Sequence, residues 1–376
     1  MNSQNLLSPI SHLPSMHKLV LLVFLLCASV AIAQQSQTPA QRPKMDFEEY
    51  DPISTLVVPE HKLTRAKFPF IDIHNHQFSM PTMDLGTLIK DMDNLNMAIM
   101  VNLSGESGDK IVQSVNNIKT HYPNRFIVFA NVDWSGVGTP GWAEKAAAQL
   151  EQDVKNGAKG LKVYKNLGFS VKDASGNRVK VDDPRLNPVW QKCAELKIPV
   201  LIHTADPKSF WDPIDKNNER WMELVTHPNR VRGNNNPVPW EDLIKEQQNM
   251  FANNPKTTYV AAHFGWLPND LGRLSILMDK LPNIVVEFGA VIAELGRQPK
   301  MARQFFEKYQ DRILFGKDSW VPEEYATYFR VLETNDEYFP YHKKYHAFWR
   351  MYGLGLPDNI LQKVYYDNAA RLLHLK

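Results

Sequence analysis

Two histidines spaced two residues apart, His74 and His76 in FIDIHNH, are the first residues in this sequence whose types and spacing suggest chemistry. In an extended strand such residues share a face, so both imidazoles can reach one cation; the same alternation puts Asp72 with them and Ile71 and Ile73 on the other face. Neutral imidazole suits Zn²⁺, Mn²⁺ or Fe²⁺, although an isolated H-x-H could equally be a pair of surface histidines. Further polar residues close later apolar runs: His203 in PVLIHT, His263 in YVAAHFG and Asp318 in ILFGKDS. One buried His or Asp is ordinarily a satisfied hydrogen-bonding residue. Several strand ends each delivering a metal-type donor would leave costly polar groups unmatched without a cation.

The elements that must hold these residues follow from the surrounding pattern. Eight β-rich runs alternate with helix-spaced segments: Phe70 to His76, Met97 to Leu103, Phe126 to Val132, Gly160 to Tyr164, Pro199 to Thr204, Thr258 to Phe264, Ile284 to Phe288 and Ile313 to Gly316. This alternation predicts an α/β protein, a (β/α)₈ TIM barrel over residues 68–376, with an open doubly wound sheet as the rival. The first run ends in HNHQF rather than a Gly-rich phosphate loop, which counts against that rival. In the barrel, Asp72, His74 and His76 are expected to point inward and Ile71 and Ile73 to meet the helices. The stretch Ala205 to Pro239 is too long for an ordinary loop, and Trp211, Asp215, Glu219 and Arg220 within it are either pocket-lining or self-packed. Tyr341 to Lys376 reads as a C-terminal helical extension on the barrel wall, in which WRMYGLGLP serves packing.

Composition narrows the partners. The 376 residues carry 43 basic and 41 acidic side chains, and there is no basic stripe, so no field draws the chain to nucleic acid. Lys18 to Ala33 reads as a signal peptide cleaved after Ala33, and residues 34–67 as a Pro-rich tether whose second half docks on the domain. Losing residues 1–33 removes Lys18 and no acid, taking the net charge from +2 to +1. The mature product is expected to be exported, periplasmic or extracellular, without stable membrane insertion. Cys193 is then its one cysteine, so no internal disulfide is expected.

With HNH on the first strand, single histidines after the fifth and sixth and Asp after the eighth, the sequence resembles the amidohydrolase superfamily. More narrowly it is similar to the group of aminocarboxymuconate-semialdehyde decarboxylase, related aromatic-acid decarboxylases and lactone hydrolases. The likeness runs from about Pro69 to Leu373, and RILFGKDS departs from the group's pattern by placing Lys317 where Thr is common. The resemblance implies that His74, His76, His203 and Asp318 bind one divalent metal, most simply Zn with Mn or Fe as alternatives, and that His263 stands beside the water the metal activates. Asp318 would then accept a proton while His263 polarises or protonates the substrate.

Lys162 is less settled. Alternation turns Gly160, Lys162 and Tyr164 inward. Lys162 could be a carboxylated bridge to a second metal, as in other branches of the superfamily; it could supply a cation to an acidic substrate or pair with Glu287, which also faces inward; or it could be structural. Arg297, in AELGRQP, could clamp a carboxylate or form a surface ion pair. Asp72 is read as a support for a ligand histidine. The expected function is hydrolysis of a C–O or C–N bond in a small carbonyl or carboxylate compound. A non-oxidative decarboxylase of an aromatic or unsaturated acid is the alternative, and an inactive exported binding protein a further one. A small-molecule substrate is implied in the first two, and a homodimer is left open.

Overall fold

Each of the eight predicted runs forms a strand in the computed structural model, which describes residues 44–233 and 238–375: β1 (Phe70–Asn75), β2 (Met97–Asn102), β3 (Phe126–Val128), β4 (Leu161–Val163), β5 (Val200–Ile202), β6 (Tyr259–Ala261), β7 (Ile284–Glu287) and β8 (Ile313–Leu314). A helix follows each one: α1 (Gly86–Leu95), α2 (Asp109–His121), α3 (Trp142–Lys155), α4 (Asn187–Glu195), α5 (Trp240–Asn253), α6 (Leu271–Lys280), α7 (Pro299–Lys308) and α8 (Tyr325–Glu333). The strands pair in parallel in two runs, β1-β2-β3 and β4-β5-β6-β7-β8. Backbone hydrogen bonds join the runs at both seams. Ala130 N donates to Gly160 O at 2.8 Å and Lys162 N to Ala130 O at 2.8 Å; Ile73 N donates to Phe315 O at 3.0 Å and Asp318 N to His74 O at 2.7 Å. The ring is therefore closed, an eight-stranded parallel barrel. The predicted leader and the start of the tether lie outside the described residues.

Alternation divides the core into two parts. Phe70, Met100, Val128, Val163, Val200, Ile202, Tyr259, Val286 and Ile313 face the helices, while Ile71, Ile73, Val101, Leu103, Phe129, Leu201, Val260, Ala262 and Leu314 fill the barrel interior with Ala369 and Leu373 from the C-terminal helical segment. This corrects the predicted facing of β1. Ile71 and Ile73 point inward, and Asp72 points out to α8, where Tyr325 Oη donates to its Oδ2 at 2.6 Å. The pairing register of β1 on β2 slips between Asp72 and Asn75, and this irregularity lets His74 enter the barrel mouth although its neighbour Ile73 is also inward.

The chain divides into Met1–Thr55 and Leu56–Lys376. In the first unit, described residues 44–55 are exposed and include one helical turn, Phe47–Glu49. In the second, Leu63 packs on the core and Ala66 N donates to Leu95 O at 3.1 Å. Among the described residues no helix is long and apolar enough to cross a membrane.

Candidate metal centre

The strand ends converge on a buried cluster at the carboxyl end of the barrel. Donor atoms of His74, His76 and Asp318 all lie within 4.8 Å of one another, as do those of His74, His263 and Glu287. His74 Nε2 is 3.2 Å and His76 Nε2 3.5 Å from Asp318 Oδ1. Behind them, Glu287 Oε1 accepts from His74 Nδ1 at 2.8 Å and from the His263 amide at 2.8 Å, while Oε2 accepts from Gly289 N at 2.6 Å. Glu287 is thus committed to holding its neighbours, the part of a carboxylate that fixes a ligand imidazole and its tautomer. It needs room to do so, and any side chain at residue 316 would collide with its carboxylate, which accounts for Gly316. Asp72 Oδ1 accepts both the His74 and the Lys317 amides, each at 3.1 Å, and so splices the two strand ends that carry His74 and Asp318. From the sequence Asp72 is expected to orient a ligand histidine; its contacts with His74 and Lys317 are to their backbone amides and not to an imidazole ring.

His203 is outside both converging groups. Its Nε2 donates to Ala205 O at 2.8 Å and its Nδ1 lies 3.3 Å from His263 Nε2. His263 Nδ1 donates to Gly289 O at 2.6 Å. A carbonyl can only accept, so both carbonyl-bonded nitrogens carry the proton and the facing His203 Nδ1 and His263 Nε2 both present lone pairs. His74 directs Nδ1–H at Glu287, and its Nε2 faces both Asp318 Oδ1 at 3.2 Å and the Lys162 ammonium at 3.3 Å. Lone pair facing lone pair at buried sites is unfavourable unless a cation lies among them, so the donor set fits a divalent ion.

The protonation tendencies of His203, His76 and His263 agree, and that of His74 differs. Burial pushes His203 down to about 3, with His263 adding to the effect, and pushes His76 down to about 4 against its bond to Asp318; His263 is lowered by burial as well. Burial also opposes the His74 imidazolium, and Lys162 reinforces this, but Glu287 and Asp318 together outweigh them and His74 is raised. Burial would raise the Glu287 carboxyl, yet the charge and hydrogen bond of His74 hold it at about 2; Asp318 is likewise held well below the usual carboxylate range by His74 and His76 against burial. A buried and a half-buried carboxylate, Glu287 and Asp318, drawing a proton onto one imidazole indicate a place short of positive charge.

Backbone strain marks the same place. His263 (φ 56°), Phe264 (φ 55°) and Trp266 (φ 59°) lie in left-handed backbone immediately after β6, and Asp318 (φ 84°) does so after β8. Non-glycine residues there cost about 1–2 kcal/mol each, and such strain gathers at functional sites.

Lys162 is buried with Nζ 3.3 Å from His74 Nε2 and makes no ion pair with Glu287, contrary to that expectation. Burial lowers it to about 8, against the attraction of Asp318 and Glu287. Arg297 grips Glu219 through two bonds, of 2.7 and 3.1 Å, and stacks on Trp349 with 3.9 Å to the ring centroid, so its carboxylate partner is internal. The cluster opens into a pocket of about 290 Å³ lined by His203, His263 and Asp318 together with Lys165, Asp206, Arg230, Arg232, Lys343 and His346. Of the four fifth-loop candidates, Arg220 lines this pocket, and Trp211, Asp215 and Glu219 do not. A larger hollow of about 450 Å³, lined in part by Cys193, Lys197 and Arg371, lies at the opposite end of the barrel, away from every candidate ligand. Lys165, Asp206 and Arg232 were missed in the sequence. Lys165 and Asp206 stand just past the ends of β4 and β5, where polar residues deserved the weight given to the histidines; nothing marks Arg232.

The sequence profile of the family described as amidohydrolase matches residues 106–375, well over half of the chain. The chain belongs to this amidohydrolase family. The match starts beyond His74 and His76, so those two ligands rest on the geometry above. Similar solved structures include a TIM-barrel protein from Bordetella bronchiseptica (14% identity, 81% of this chain and 98% of that chain, TM-score 0.52) and 2,6-dihydroxybenzoate decarboxylase from Rhizobium (16%, 83% and 99%, 0.52). A third is a dihydroxybenzoic acid decarboxylase from Polaromonas with bound manganese and the inhibitor 2-nitroresorcinol (15%, 82% and 97%, 0.52). At these identities the likeness establishes the amidohydrolase barrel fold. No match was found among curated proteins. The amidohydrolase is a metal-dependent enzyme of the hydrolase and lyase type.

Proposed function

We propose that this amidohydrolase is an exported enzyme that hydrolyses a C–O or C–N bond in a small carbonyl compound bearing a carboxylate. The observation that carries this reading is the convergence of His74, His76 and Asp318 donor atoms within 4.8 Å at the mouth of a closed barrel. These three residues would hold one divalent ion, Zn in the first instance with Mn or Fe as alternatives, and His203 would be a fourth donor if its lone pair turned from His263. When bound, the ion supplies Lewis acidity, which lowers the pKa of water to about 7 and polarises a carbonyl.

The chain's own groups do the rest. The Asp318 side chain is 32% exposed, so its carboxylate can take the proton of the attacking water and pass it to the leaving atom. His263 keeps Nε2 free to bind a hydrogen on the substrate, because Gly289 holds its Nδ1–H. Lys162, beside His74, offers an ammonium to a substrate oxygen and could be carbamylated to recruit a second ion.

A second reading, non-oxidative decarboxylation, is favoured by the cationic pocket wall, since it suits an acidic substrate, whose carboxylate at the metal is the group such an enzyme removes. Product analysis on chelator-stripped and reconstituted protein separates the two. Ester, lactone and amide substrates should turn over only with metal present, releasing acid and no CO₂. CO₂ evolution from a carboxylated aromatic would support the second reading, and turnover by stripped protein would contradict both.

A further inference from the structure

The ion pairs around the pocket do not all balance. Arg220 and Arg230 are matched by two carboxylates: Glu223 takes Arg220 Nη1 at 2.8 Å and Arg230 Nη1 at 2.6 Å, and Glu294 takes the other end of Arg220. Asp206 stands differently. Only 4% exposed, it is a single carboxylate shared by two cations, with Lys165 Nζ at 2.6 Å on Oδ1 and Arg232 Nε at 2.7 Å and Nη2 at 2.6 Å on Oδ2. Its Oδ1 is also 3.9 Å from His203 Nε2, which places the cluster next to the metal centre.

One positive charge is left over in that trio. Among the described residues, Lys165 uses one of its three N–H groups on Asp206, and Arg232 keeps Nη1 on nothing better than the Asn229 carbonyl at 3.5 Å. Arg232 is held in place from behind by the Phe169 ring, 5.4 Å to the centroid. Lys317 and Lys343 also share one carboxylate, Glu324, at 2.6 and 3.4 Å. Lys317, however, directs its ammonium at Ser319 O, Ser319 Oγ and Glu324 and has no donor left for a ligand. An unmatched, partly buried cation beside a divalent ion is costly, and an anionic ligand removes that cost.

We infer that Lys165 and Arg232, preset by Asp206, form a receiving site for a second anionic group, so that the natural substrate is a dianion spanning from the metal centre to the fifth-strand loop. This rests on the metal-centred reading above and adds the substrate class to it. Arg232 and Lys165 are specificity residues here, since they bind the end of the substrate remote from the reacting bond.

The test is calorimetric binding at low salt to the purified manganese-loaded protein, using two matched pairs: isophthalate against benzoate, and glutarate against butyrate. In at least one pair the dianion should bind tenfold or more tightly than its monoanion. Arg232→Gln and Lys165→Met should each cut that preference at least fivefold while leaving the monoanion within twofold, and added salt should shrink it in the native protein. Each substitution alone neutralises the trio, so either variant suffices if the other does not fold. Equal binding of dianions and monoanions by the native protein, or a preference unchanged in a folded variant, overturns the inference. Chelation provides a separate arm. Benzoate binding that is indifferent to metal removal contradicts the metal-centred reading, whereas the dianion comparison and its sensitivity to Arg232 are read independently of it.

Discussion

The lower and upper halves of the same barrel interior are built from the same strands and do opposite things. In the lower half, Leu201, Val260 and Leu314 pack with Ile71, Ile73 and Phe129 around Ala369 and Leu373 in one apolar cluster. Two to four residues further along β5, β6 and β8 stand His203, His263 and Asp318, and Lys162 and Glu287 join them from β4 and β7, in register with Leu201 and Leu314. The lower layer closes the barrel by burying apolar surface. The upper layer brings together imidazole lone pairs and two carboxylates, unfavourable without a cation, on strained left-handed backbone, and depends on the lower layer to hold it together.

Substitution on either side of that boundary should separate the roles. Asp318→Asn is expected to lower turnover by roughly 10³-fold, since it removes both a proton acceptor and a donor to the metal, while the melting temperature moves by only a few degrees. Leu201→Ala, from the lower layer, should cost about 2–5 kcal/mol of stability in urea titrations and leave the metal-to-protein ratio intact. A reversal of these two results would break the comparison. Smaller in effect, Glu287→Gln should weaken metal affinity by about 10–100-fold in a chelator competition, because His74 loses the carboxylate that fixes its tautomer. Unaltered affinity would move Glu287 into the purely structural set.

Acid should act on the upper half first. His203 is held to about 3, and His76, His342 and His346 to about 4, chiefly by burial, all below the ordinary histidine value near 6.5. As pH falls below 6.5 the unfolded chain takes up protons that these folded histidines refuse, so their contribution is level above about pH 7 and lowers stability from about pH 6.5 toward 4. His74 shifts the other way, and its proton competes with the ion, so metal affinity should already be falling at pH 7 as acid is added. Urea midpoints and metal titrations across pH 5–8 check both slopes. The smallest expected effect is that of Arg297→Ala on the rim. Its pairing with Glu219 is partly exposed, so a stability change below about 1 kcal/mol and activity within twofold are predicted; a tenfold loss of activity would place Arg297 at the substrate instead.

Eight strand–helix repeats and the residues at their carboxyl ends were legible in the sequence because alternation and apolar runs are local signals. The facing of β1 was not, because the register slip between Asp72 and Asn75 breaks the alternation on which that reading depended. His203 shows a second limit. Its position at the end of β5 was plain, but its ring orientation depends on the Ala205 carbonyl and on His263, partners set by the turn after the strand and by a residue 60 positions away. Arg297 was equally undecidable, since Glu219 and Trp349 come from other loops. The cationic wall was missed for the same reason: Lys165 and Asp206 are 41 residues apart, and Arg232 joins them only through a long loop.

The central claim is that one cation is shared by imidazoles from β1 and a carboxylate from beyond β8. An anomalous-scattering crystal structure of metal-replete protein tests it directly. The account predicts a peak within about 2.0–2.2 Å of a nitrogen on His74, a nitrogen on His76 and an oxygen on Asp318. A metal-replete crystal in which no ion touches these three side chains together would contradict it.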